Sequence, residues 1–85
     1  MTNDTSRCFE ALRASLDGRL DPALLEDALE YLDHAEWGLA LEALADHLHE
    51  HGVRITGAER ALFEELRRTM HIAEERLAFL DELVE

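Results

Sequence analysis

The chain has 85 residues and a mass of 9.7 kDa, enough for one small domain with one core and no room for a second. Its formal charge is −12, from 20 Asp and Glu against 8 basic residues that are all arginine, which argues against direct nucleic-acid binding because phosphate neutralisation needs a basic patch. A hydrophobic fraction of 47%, rich in leucine and alanine, argues against disorder and for helices.

The N-terminus, Met1-Thr2-Asn3-Asp4, is polar and reads as a flexible tail over residues 1–4; no apolar region follows it. No apolar run reaches membrane-spanning length, so the expectation is a soluble, cytoplasmic protein without membrane contact. The first amphipathic stretch runs from Thr5 to Leu16, with Phe9, Leu12 and Leu16 on one stripe, Cys8 at its edge and Asp17-Gly18 as a stop. A lone cysteine excludes an internal disulfide and a cysteine zinc site.

Asp21-Pro22 opens the second helix, since Asp can cap free N–H groups and Pro at the first position gives up a donor that would lack a partner anyway. Leu25, Leu29 and Leu32 form its stripe, filled out by Ala28. The phase then changes at Asp33-His34-Ala35-Glu36, where Asp33 and Glu36 fit a capping box for a third helix, although one kinked rod satisfies the same pattern. That third helix carries Trp37, Leu41, Leu44 and Leu48 and ends at Gly52, which can adopt the left-handed conformation of a helix stop. Gly38, costly inside a helix, predicts a close approach by a neighbouring segment.

Val53-Arg54-Ile55 is too short for a sheet and reads as an extended connector. Thr56 and Glu59 form a capping box for a fourth helix, whose stripe is Leu62, Phe63, Leu66 and Met70, with Arg60–Glu64 and Glu64–Arg68 as supporting pairs. Ala73, Leu77, Leu80 and Val84 then predict a last helix, with Phe79 and Leu83 on its flank. The fold class expected is all-α: a single bundle of four to five short helices over residues 1–85.

Charge is segregated. Leu20 to His51 contains nine acids and no Lys or Arg, −9 over 32 residues, whereas the other 53 residues hold 11 acids and 8 arginines, −3. Such a bias is either a solvated acidic face or a docking surface for a basic partner, since segregation adds self-repulsion without adding solubility. Glu26, Glu30 and Asp33 share a face of the second helix, and Glu42, Asp46 and Glu50 repeat along the third, so two packed helices would merge them. Tyr31, outside the core stripe, is either an aromatic anchor for that surface or an edge residue with its hydroxyl in water.

His47 and His51 have the spacing for one zinc, with His34 or a carboxylate as a further ligand, but the Glu of the zinc-protease helix motif is absent. The favoured reading places them at a helix C-terminus, where imidazolium suits the dipole, and no metal or cofactor is expected. No phosphate loop, nucleophile elbow or Cys/His pairing is present, so an enzyme is not expected.

The string Tyr31-Leu32-Asp33-His34-Ala35-Glu36-Trp37-Gly38-Leu39-Ala40-Leu41-Glu42 resembles the signature of the MafI family of small bacterial immunity proteins. The resemblance continues through Leu44 and Leu48, Ile55-Thr56, Glu59 to Met70 and Leu77 to Val84, about 60 residues in all. It departs where the family often has Gly, here Ala35, and where it has a small residue or Gly after the position of Met70, here His71. The resemblance implies an immunity protein of a polymorphic or contact-dependent toxin system, binding a cognate toxin C-terminal domain, commonly a basic nuclease. The candidate contacts are Glu26, Glu30, Tyr31, Asp33, Glu42, Asp46 and Glu50. The alternative is a helical adaptor or homodimerising scaffold that uses an apolar strip such as Leu24/Tyr31 or Phe79/Leu83; the oligomeric state is left open.

Overall fold

Helix boundaries in this chain are set by which groups satisfy the free backbone donors and acceptors at each end. The computed structural model describes residues 3–85 and contains α1 (Asn3–Leu16), α2 (Pro22–Asp33), α3 (Trp37–Glu50) and α4 (Gly57–Thr69). Two 3-10 turns follow, Glu74–Arg76 and Ala78–Leu83, and no strand is present among the described residues beyond two isolated bridges. The chain is thus a small all-α bundle. α1 starts two residues earlier than expected, taking Asn3 and Asp4 out of the anticipated tail; Met1 and Thr2 lie outside the described residues.

The start of α2 is as expected: the Asp21 carboxylate accepts from the Ala23 N–H at 2.9 Å and Pro22 occupies the first turn. The capping box of α4 is complete. Thr56 Oγ1 accepts from the Glu59 N–H at 3.1 Å, and Glu59 Oε1 accepts from the Thr56 N–H at 2.8 Å. The box expected at Asp33 and Glu36 does not form. Asp33 is the last residue of α2, and the Glu36 N–H that it would cap is already bonded to the Tyr31 carbonyl at 2.9 Å. Glu36 occupies the cap position of α3 without a side-chain hydrogen bond.

That Glu36–Tyr31 bond belongs to a helix stop used three times. After α2, Ala35 donates to Leu32 and Glu36 to Tyr31; after α3, Gly52 donates to His49 and Val53 to Leu48; after α4, His71 donates to Arg68 and Ile72 to Arg67. In each the pivot is left-handed, with φ of 56° at Ala35, 61° at Gly52 and 56° at His71. Only one of the three pivots is the glycine that such a conformation favours. Ala35→Gly and His71→Gly are each expected to raise stability by roughly 0.5–1 kcal/mol, after allowing for the extra freedom glycine gives the unfolded chain. Urea unfolding of the single and double variants checks this, and the two gains should add.

Gly38 lies well inside ordinary space. A Cβ there would come no closer than 3.9 Å to Ile72 Cδ1, so the close approach expected from the sequence is absent.

α2 packs chiefly on α3 and α1 chiefly on α4. Phe9, Leu12 and Leu16 meet Phe63 and Leu66 in a core that also holds Leu25, Ala28, Leu41, Leu44, Leu48 and Ile55. Trp37 is half-buried against this core, with its ring centroid 5.8 Å from that of Phe9. The C-terminal segment differs from expectation in period. Leu77, Leu80 and Leu83 are buried while Ala73 is exposed and Val84 half-buried. A 3-10 backbone places every third residue on one face, whereas an α-helix would have selected 73, 77, 80 and 84. The extended connector then clasps this segment: the Ile55 N–H donates to Leu83 at 2.9 Å, the Glu85 N–H donates to Ile55 at 3.0 Å, and the Arg54 guanidinium reaches the Glu82 and Val84 carbonyls.

Candidate partner-binding surface

The two acidic rows do not merge. The seam between α2 and α3 is occupied by Asp27 and His47, whose Oδ2 and Nε2 lie 3.0 Å apart. Glu26, Glu30 and Asp33 lie on the flank of α2 that faces α1. Glu42 lies on the other side of the hairpin, where its Oε1 accepts from Arg76 at 2.8 Å in the first 3-10 turn. Asp46 and Glu50 are exposed on α3. Tyr31 is exposed as well, in a shallow recess with Asp27, Glu30 and His34.

Because α1 and α2 each pack on a different partner, they diverge and leave an open groove of about 710 Å3 between them. Its walls carry Glu10 and Arg13 from α1 and Glu26, Asp27, Glu30 and Asp33 from α2; Phe9, Ala23, Leu29 and Leu32 supply its apolar part. A second concavity of about 370 Å3 shares Arg13 and Glu26 with it and extends to Asp17, Pro22 and Leu25. Local sequence pattern carries no signal for the α1 half, because which helix stands beside α2 is decided by tertiary packing.

The distribution of arginine explains why this face stays uncompensated. Arg19 pairs with buried Glu59, Arg60 with Asp81 at 2.9 Å, Arg67 with Glu64 at 2.6 Å, Arg68 with Glu64 at 3.1 Å and Arg76 with Glu42. Arg54 is committed to carbonyls, and Arg7 stands 3.9 Å from Asp4. Hydrogen bonds from Arg67 hold the Glu64 carboxyl down at about 2. Among the described residues Glu10, Glu26, Glu30, Asp33, Asp46 and Glu50 make no ion pair or side-chain hydrogen bond, and Arg13 makes none either.

The histidines are dispersed. His47 faces Asp27, while His49 turns the other way, edge-on to Phe79 at 4.9 Å and 3.6 Å from Glu82. No group of three or more metal-ligating side chains forms among the described residues. The Cys8 thiol is buried and its pKa is pushed up by that burial, reinforced by Glu65 at 3.5 Å, which keeps it in the protonated form. Of the apolar strips expected for a scaffold, Phe79/Leu83 is not exposed: Leu83 is in the core and Phe79 is half-buried under His49. Leu24 is half-buried, and among the described residues the large exposed apolar ones are Tyr31 and Leu39. No described helix is long and apolar enough to cross a membrane.

No family model, curated protein or solved structure matches this chain.

Proposed function

We propose that the chain is an immunity protein that binds a cognate bacterial toxin domain, a basic nuclease, in the cytoplasm and neutralises it by charge-complementary obstruction. The observation that carries this reading is the uncompensated acidity of α2: seven of the eight arginines stand beside carboxylates or carbonyls of this chain, yet Glu26, Glu30 and Asp33 have none of them. Holding like charges together costs the isolated fold some self-repulsion, and a basic substrate-binding cleft would relieve it while steering encounter.

The resemblance to the MafI signature supports the same reading. Its two departures, Ala35 and His71, fall on the two non-glycine residues with left-handed backbone, where glycine is the residue that a helix stop favours. Where the family has glycine, it has the residue that this backbone favours.

The test is co-expression with the product of the adjacent reading frame, expected to end in a toxin domain, followed by association kinetics over a range of salt. The chain is expected to protect the cell. Reversing Glu30, Asp33 and Asp46 to Lys is expected to slow association and flatten its salt dependence, because the steering field is lost. Absence of protection, or kinetics indifferent to salt and to the reversal, would overturn the electrostatic mechanism. Exposed Tyr31 and Leu39 favour one rival, a self-associating scaffold, which sedimentation would reveal as a stable dimer.

A further inference from the structure

We propose that the groove between α1 and α2 is the docking site for a basic, amphipathic segment of the partner, whose Arg or Lys side chains meet Glu26, Glu30 and Asp33 while an apolar side chain seats against Leu32. The proposal rests on the toxin-binding reading and narrows it from an acidic hairpin to one concavity.

Three independent properties meet there. The shape is concave because α1 follows α4 and α2 follows α3, so the groove is a product of the fold's pairing. The charge is five carboxylates against one guanidinium, Arg13, and Asp27 alone among those acids has a partner within the chain. The floor is apolar where it is accessible: half-buried Leu32 lies open to the groove, backed by buried Phe9 and Leu29, and the Phe9 ring leans on Trp37. Desolvated apolar contacts ringed by charge are what give an interface both affinity and register, whereas an acidic row on a convex surface gives steering alone. The α3 row differs: Glu42 is already paired, and Asp46 and Glu50 line neither this groove nor the concavities beside it.

A peptide pair probes the groove directly: a helix-forming Arg/Leu peptide with its leucines on one face, and an isomer of equal composition scrambled to remove that face. Fluorescence anisotropy is expected to show the amphipathic peptide binding at least about tenfold tighter than the scrambled one. Amide shifts should cluster on α1 and α2. The charge reversal is then divided between the helices. Glu30→Lys with Asp33→Lys is expected to weaken the amphipathic peptide about tenfold or more, and Asp46→Lys with Glu50→Lys by about twofold or less. These side chains are exposed and without internal partners, so circular dichroism melts should stay cooperative.

Equal affinity for both peptides, an equal loss from the α3 reversal, or shifts centred on α3 would overturn the groove. Toxin co-expression with the same two double variants separates the two claims. Protection lost through the α3 variant but kept by the groove variant overturns the groove and leaves toxin binding standing. Peptide binding in the groove, with no toxic product from the adjacent reading frame or no protection against it, keeps the groove and overturns the toxin reading.

Discussion

Replacing Glu59 with alanine is expected to lower the unfolding free energy by about 3 kcal/mol, a large share of the roughly 4–13 kcal/mol usual for a domain of this length. Glu59 is 2% exposed and carries three structural duties at once. Its carboxylate closes the α4 capping box on Thr56, accepts from Ser15 at the end of α1, and meets Arg19, whose guanidinium also bonds the Ser15 and Arg54 carbonyls. Removing it leaves Arg19 without its anion and α4 without the side-chain acceptor for the Thr56 N–H. Glu59→Gln keeps an acceptor for Thr56 but loses the charge, so its cost should be intermediate, and urea unfolding ranks the three chains.

The same residue makes the stability depend on pH. Burial alone would raise the Glu59 pKa, but hydrogen bonds from Arg19, Ser15 and the Thr56 backbone outweigh it and leave the carboxyl below its ordinary value. A folded-state pKa below the unfolded value of about 4.3 contributes stability that is complete above that value and is lost as pH falls through the folded one. The gap between the native chain and Glu59→Gln should therefore be widest near neutrality and narrow on acidification. A gap independent of pH from 7 down to 3 would show that the charge contributes nothing.

Leu80→Ala is expected to cost about 3 kcal/mol, because Leu80 is fully buried in the second 3-10 turn and its removal leaves a cavity. The informative comparison is further along. In the 3-10 register Leu83 is inside and Val84 is half-buried, so Leu83→Ala should cost clearly more than Val84→Ala. An α-helical register would reverse that order. Thermal or urea melts of the three variants read the register without a further structure.

What was legible in the sequence was mostly what four neighbouring residues decide among themselves, although the box read at Asp33 and Glu36 lost to the Tyr31 carbonyl. Thr56 with Glu59, Asp21 with Pro22, and Gly52 after α3 each act through hydrogen bonds or backbone angles that span a single turn. The left-handed pivots at Ala35 and His71 were hidden because neither is glycine. The C-terminal turns were misread because spacings of 73, 77, 80, 84 and of 77, 80, 83 coexist in one stretch, and only packing against the rest of the core selects between them. The acidic surface was legible as composition but not as shape. Glu26, Glu30 and Asp33 do share one flank, yet Glu42 is claimed by Arg76, 34 residues away, and Glu10 and Arg13 enter the groove from a helix that local pattern cannot place.

The clasp of Ile55 onto Leu83 and Glu85 orders events in time. The α2–α3 hairpin joins elements adjacent in sequence, so its loop closes at little entropic cost, whereas the clasp must capture a segment about 30 residues distant. The hairpin is therefore expected to form while the clasp is still open, and pulse-labelled amide exchange should find the acidic helix protected before Ile55. Substitutions at the hairpin turn would then act on the folding rate, and those at Ile55 or Leu83 on the lifetime of the finished molecule.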